Sequence, residues 1–372
     1  MIPRPGRAHP SRLRRAALLG LALLAGAPLP ATAQARSGGN GTFYLAAYDK
    51  HVYVIDEATL DVRARWPSQI GIPARVALSD DRSLLIVTDV TNRNVELIER
   101  ATGRSVDHFT LDQGNTQVRI GSIALAPDHG WMVLQIQSYT KLRDRFQIGE
   151  PVLVRYDLST HAVTDTIPWP DGPDAASGST LFSPDGRLLW VLGDDLVALD
   201  AETFAEVDRW ALSRPIEPGL GEMFFGFSQS LYEDAGIYTG LFRTSDPVQH
   251  RRLMGIARVD LAAKDVDFYT LGPSQPVSFT LAPDGRTAYG LYSDIGRYEF
   301  WTFDLQNRRV AQRQEFPGRP RMRLAASTNG ELLYIATAGA TIDVYDAATY
   351  QPLRTVTLDT DMIGWVLVPP ED

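Results

Sequence analysis

Seven times the chain repeats one short phrase, an alternating apolar strand that ends on an acid and then turns. Five copies are full: Val52–Thr59, Val95–Thr102, Leu153–Thr160, Leu196–Thr203 and Ile342–Thr349. Two are shortened, Ile256–Asp260 and Trp301–Asp304. The acid falls at Asp56, Glu99, Asp157, Asp200, Asp260, Asp304 and Asp346, with spacings of 43, 58, 43, 60, 44 and 42 residues. A repeat of about 40–45 residues built only of strands is the signature of propeller blades. Between these phrases runs a second one, an apolar strand, a Ser/Ala-Pro-Asp-Gly turn and another apolar strand. Ser183-Pro184-Asp185-Gly186 and Ala282-Pro283-Asp284-Gly285 are its cleanest copies. Pro presets φ, Asp bonds its own backbone and Gly supplies φ > 0, so each copy predicts a hairpin turn.

A blade therefore reads inner strand, turn, second strand, third strand ending in its acid, turn, and a more polar outer strand. The acid is read as an Asx-type turn former rather than a ligand. At the chain ends, Thr42–Tyr48 is a second strand with no inner strand before it. Met362–Val368 is a lone strand with no blade after it. Together they complete one blade, a clasp that closes the ring and removes free edges. The expectation is all-β, a single seven-bladed β-propeller of four-stranded antiparallel blades over residues 42–370, with 34–41 as a flexible lead-in.

Residues 1–33 read as a secretory signal peptide. Five arginines (Arg4 to Arg15) precede the uncharged apolar run Ala16–Ala27, and Ala31-Thr32-Ala33 has the small-x-small form of a cleavage site. The apolar run is short for a membrane span. A periplasmic or secreted location is expected. The formal net charge is −9. Loss of the leader makes the chain more acidic, which disfavours nucleic acid as a partner. With no cysteine, thiolate catalysis, disulfides, Fe–S clusters and cysteine-anchored haem are excluded.

No nucleophile elbow, phosphate loop, dinucleotide fingerprint or His-Glu-x-x-His is present. The histidines share no register, so they predict no metal site. Glu222 and Asp361 near inner-strand starts are the only acids placed to hold a central calcium.

Two features remain. Counted from the turn, Arg75, Ser122, Ser179, Ser278 and Arg323 occupy equivalent inner-strand sites. They form either the small side of each strand or, with Arg119 and Arg321, a channel mouth that binds an anionic group. The repeat is also broken twice, at Ser138–Glu150 and Ser245–Arg252. Both are read as long loops between second and third strands, hence on one face, where a partner or substrate is expected. Tyr139, Arg143 and Phe146 lie in the first, and Phe224 and Phe225 lie ahead of the second, in a degenerate blade whose inner strand is placed at Phe224–Ser228. These aromatics are local core or an apolar docking patch.

The strand-Asp-x-x-Thr and Pro-Asp-Gly phrases, without Trp-Asp pairs, are similar to those of exported YVTN-type propellers. The stretch Leu142–Ile148 followed by Pro151–Asp157, with the C-terminal Val344–Thr349 phrase, resembles the β subunits of quinohemoprotein amine dehydrogenases. That resemblance implies a cofactor-free, non-catalytic propeller subunit of a primary-amine-oxidising complex. Its partners would be a dihaem cytochrome subunit carrying haem c and a small chain carrying cysteine tryptophylquinone. It carries over no catalytic, cofactor or metal residue to this chain. Two other readings stay open, a free-standing exported propeller that binds a protein, peptide or glycan, and a calcium-dependent propeller hydrolase.

Overall fold

The structure, a computed structural model, describes residues 36–173, 178–211, 218–226, 230–318, 321–337 and 339–370. The leader lies outside them, as do the side chains of Arg321, Met322 and Thr337.

The strands fall into seven antiparallel sheets, each with the four strands expected of a blade. Blade 1 is the clasp: Met362–Val368 is innermost, followed by Thr42–Ala47, His51–Asp56 and Val62–Pro67. The two chain ends pair from Thr42↔Val368 to Ala46↔Gly364. Inner strands of blades 2 to 7 are Pro73–Leu78, Thr116–Leu125, Ser179–Phe182, Met223–Phe225, Thr280–Leu281 and Arg321–Ala326.

Ring closure is visible in the core. Each pair of neighbouring blades shares its own cluster of buried apolar side chains. Val54 meets Leu85 between blades 1 and 2, Leu97 meets Leu134 between 2 and 3, and Leu153 meets Leu189 between 3 and 4. Round the rest of the ring, Trp190 meets Val259, Met254 meets Trp301, Phe300 meets Tyr345, and Tyr334 meets Phe43. Second and third strands are buried on both sides, which is why Leu84–Asp89 and Leu332–Ala336 are almost wholly apolar.

The turns hold as their residues require. In five blades the fourth turn residue donates its N–H to the first, and that residue has positive φ: Arg82, His129, Gly186, Gly285 and Gly330. Asp157, Asp200 and Asp346 each accept the N–H and the hydroxyl of the Thr three residues on, at 2.8–2.9 Å. These bonds hold the carboxyls below their ordinary range, Asp157 at about 2.

Two expectations are corrected. Ser245–Arg252 is not a loop. Strands Ile237–Asp246 and Arg251–Asp260 pair along their whole length, up to Asp246↔Arg251, leaving only a four-residue turn at 247–250. In blade 3, Trp131–Lys141 runs on past its partner, and Phe146–Ile148 folds back on Tyr139–Lys141 before Val152–Asp157 takes the same edge. A long apolar-polar alternation extends a strand more cheaply than a loop leaves backbone groups unpaired. Ahead of the first strand, Arg36 bonds Asp346, and the carbonyls of Ser37 and Gly38 accept from Asn329 and Thr328.

Candidate binding channel and docking face

The connectivity gives the disc two different faces. Inner-to-second and third-to-outer turns lie on one, the turn face, and carry the Pro-Asp-Gly and Asp-x-x-Thr turns. Second-to-third hairpins lie on the other, the hairpin face, where every inner strand also begins.

Two cavities line the central channel. One, about 580 Å³, is walled by the inner strands of blades 2, 3 and 4 with Tyr238. The other, about 710 Å³, is walled by those of blades 5, 6, 7 and 1. The register match in the sequence thus marks a real surface: Arg75, Ser122 and Ser179 line the first, Ser278 and Arg323 the second. Two of the serines are tied into the wall, with the Ser122 hydroxyl 3.2 Å from that of Thr180 and Ser278 Oγ accepting the Leu291 N–H at 3.1 Å.

The arginines behave differently. Arg323 Nε donates to the Ile363 carbonyl of blade 1 at 3.1 Å, and Arg75 Nη1 to the Gly121 carbonyl of blade 3 at 3.3 Å. Each guanidinium thus reaches a carbonyl of the next inner strand, and Arg323 does so beside Gly364, which presents no side chain to it. Burial in the wall, then the charge of Arg75, lowers the Arg323 pKa from its ordinary value. The single described carboxylate in either lining is Asp80, at the turn-face end of its strand. Arg243 joins the wall beside Phe224, its strand partner.

On the turn face the channel is bridged. The connection from the inner to the second strand of blade 5 leaves its own neighbours and reaches the opposite side of the ring. There Leu231 packs with Tyr44, Val76 and Leu78 of blades 1 and 2, and its carbonyl accepts from Arg82 at 2.9 Å. Burial, reinforced by the Glu57 charge, pushes the Tyr232 phenol up to about 12. Glu233 anchors the return by accepting the N–H and hydroxyl of Thr239 at 3.1 and 2.5 Å. The sequence reading missed this bridge because its extra length was assigned to the hairpin at 245–252. The doublet Tyr232-Glu233 ahead of Gly236 was its only trace.

Apart from Phe224 of the channel wall, the hairpin face carries the exposed large apolar side chains that are not on outer strands. At hairpin tips these are Phe146 (60 % exposed), Ile148 (61 %), Val248 (80 %) and Ile295 (92 %), with Tyr48 and Val90 in the corresponding turns of blades 1 and 2. None of the turn-face loops described carries one. Lys141, Arg143 and Arg252 stand among these tips with no acidic partner among the described residues.

The other sequence candidates divide. Arg119 leaves the channel and lies over Tyr139, 5.1 Å from the ring centroid, while the Tyr139 hydroxyl donates to Gln137 at 2.6 Å. Phe224 and Phe225 both line the second cavity; Phe224 is largely exposed there, while Phe225 also packs against Phe242 of the core. The expected inner strand Phe224–Ser228 is seen as Met223–Phe225, and 227–229 lie outside the described residues. Arg321 begins its strand, and its side chain is likewise outside them. Among the described residues no three His, Cys, Asp or Glu cluster as metal ligands.

Several solved structures share the architecture. Dihydro-heme d1 dehydrogenase NirN in complex with DHE aligns at 16 % identity and TM-score 0.54, over 92 % of this chain and 78 % of its own. A functionally unknown protein from Desulfotomaculum acetoxidans aligns at 13 % and 0.54, over 90 % and 100 %. AztD from Citrobacter koseri, in its apo form, aligns at 14 % and 0.53, over 88 % and 98 %. No protein-family model and no curated protein matches the chain. Likeness at this identity speaks for the fold alone, and by fold the chain is a seven-bladed β-propeller closed by its two ends.

Proposed function

We propose that this propeller is a non-catalytic subunit that docks a protein partner on its hairpin face, in an exported complex that oxidises primary amines. The observation that carries docking is the segregation of exposed apolar tips to one face, at Phe146, Ile148, Val248 and Ile295. Exposed apolar patches of this kind mark interaction surfaces. Unpaired Lys141, Arg143 and Arg252 around them suit a partner with an apolar centre and an acidic rim. The amine-oxidising setting rests on the resemblance of Leu142–Asp157, which includes the Phe146–Ile148 hairpin, to the β subunits of quinohemoprotein amine dehydrogenases. In that setting the partners are the quinone-bearing small chain and the dihaem cytochrome.

The test is purification of the tagged full chain from its own cells, with haem and quinone staining of what comes with it. A haem-positive chain and a small quinone-positive chain should be retained, and the Phe146→Asp/Ile148→Asp variant should lose both while melting at the wild-type temperature. A monodisperse monomer carrying neither stain would overturn the amine-oxidising setting. Full retention by the variant would overturn the docking face.

A further inference from the structure

We propose that the central channel is a one-mouthed well that takes a small organic or inorganic oxyanion between Arg75 and Arg323. This goes beyond the docking role, since it concerns the channel wall and not the hairpin tips.

Position comes first. Both arginines are the third residue of an inner strand that starts on the hairpin face, so both guanidiniums lie toward that mouth. The opposite end is spanned by the Leu231–Tyr232 bridge, held to blades 1 and 2 through Arg82 and the Tyr44 cluster. A ligand of the channel therefore enters past the arginines.

Charge comes second. Several arginines of this protein are matched to acids, as Arg93 is to Asp112, Arg209 to Asp171 and Asp195, and Arg313 to Glu299. Arg75 and Arg323 have no carboxylate partner among the described residues, and each spends one N–H on a backbone carbonyl. An arginine offers five donors, so most of each fork faces the channel. Two like charges that sense one another across one inner strand are costly in a partly enclosed wall, and an oxyanion accepting from both removes that cost. Asp80, the carboxylate of that lining, sits at the far end of its strand and does not fill this role.

Room comes third. Arg323 lies over Gly364, where a Cβ would stand 3.6 Å from its Nη2. A Cβ at Gly364 would come within 2.2 Å of the Ala74 carbonyl oxygen, and one at Gly121 within 2.7 Å of the Gln135 side chain. The cavities, about 580 and 710 Å³, hold a molecule larger than a bare ion, and Ser122, Ser179 and Ser278 supply hydroxyl edges.

Isothermal titration calorimetry of the full chain with succinate, citrate and inorganic phosphate, each at low and high salt, tests this. At least one probe should bind in the millimolar range or tighter and weaken as salt rises. Arg75→Gln and Arg323→Gln should each weaken it about tenfold or more, as expected for loss of one charge-assisted contact. Arg75→Lys and Arg323→Lys, which keep charge but lose the fork, should fall between. They also report if a Gln variant misfolds. Arg313→Gln, outside the channel, should change nothing. Absence of binding by all three probes at about 1 mM, or equal binding by wild type and the Gln and Lys variants, would overturn the proposal. Neither result bears on the docking face.

Discussion

Removing one carboxylate, that of Glu57, should open the ring at its clasp. Glu57 is fully buried in the turn between the third and outer strands of blade 1. Its two oxygens accept the Gly41 N–H at 2.7 Å, the Thr328 N–H at 2.8 Å, the Thr328 hydroxyl and the Tyr334 hydroxyl at 3.2 Å. One side chain therefore ties together the lead-in, blade 1 and blade 7, the seam at which the chain ends meet. In Glu57→Ala the hydroxyls can rotate to other acceptors, but the two backbone N–H groups cannot, and each buried orphan donor costs about 1–3 kcal/mol. Relief of the carboxylate's own desolvation, which raises its pKa, offsets part of this. The net loss at neutral pH should be about 3 kcal/mol. At an unfolding entropy of about 2.1 cal/mol/K per residue, a ring of this size moves about 1.5 °C per kcal/mol, so Tm should fall by about 4 °C. Glu57→Gln should not rescue it fully, because its amide places donors against donors. Scanning calorimetry with limited proteolysis at the lead-in would measure both effects. A Tm within about 1 °C of wild type would refute the idea that this carboxylate carries the seam.

Acid should unfold the ring by way of its turns. A carboxyl whose pKa is lower folded than unfolded gives stability that is full above its unfolded value and fades as pH falls through the folded one. For Asp157 that window runs from the ordinary carboxylate value down to about 2. Asp157→Asn should therefore flatten Tm against pH in this window. Glu57 has the opposite sign: its raised pKa makes its contribution greatest at low pH and smaller as pH rises through the folded value. Gly364→Val should prevent folding or cost several kcal/mol, since its Cβ meets a backbone oxygen that cannot yield; solubility and circular dichroism would show it. Arg155→Ala should loosen the seam of blades 3 and 4 by about 2 kcal/mol. The guanidinium lies between Trp131 and Phe204, 4.4 and 4.7 Å from their ring centroids, and bonds the Glu202 carbonyl at 2.8 Å. Denaturant unfolding would register that loss as a lower midpoint.

The blade count and the clasp were legible because strands, turns and acids recur in register. Ser183-Pro184-Asp185-Gly186 can only be a turn, and an unpaired strand at each end can only be a shared blade. The channel wall was legible for the same reason, as Arg75, Ser122, Ser179, Ser278 and Arg323 hold one place in the repeat. Features that depend on contacts across the ring were not legible. Leu231 reads as an ordinary loop residue until it meets Tyr44 and Leu78 on the far side. Glu57 stands where the other copies have Arg100, Leu158, Ala201, Leu261, Leu305 and Ala347, without any sign in the sequence that Gly41 and Thr328 will surround it. Arg119 obeys the channel register only if the strand is straight, and the bulge between Ile120 and Ile123 sends it to Tyr139 instead.

The pairing of Thr42–Ala46 with Gly364–Val368 also dictates an order of events in biosynthesis. Until Met362–Val368 has been made, Thr42–Ala47 lacks one neighbour, and its row of N–H and C=O groups and the apolar Phe43 and Leu45 wait as an open edge. Six blades can form as they emerge, each on its predecessor, but the first stays sticky for the whole length of translation. A chain that ends before Met362 would therefore leave an open arc with an exposed strand edge, prone to aggregate, rather than a smaller ring.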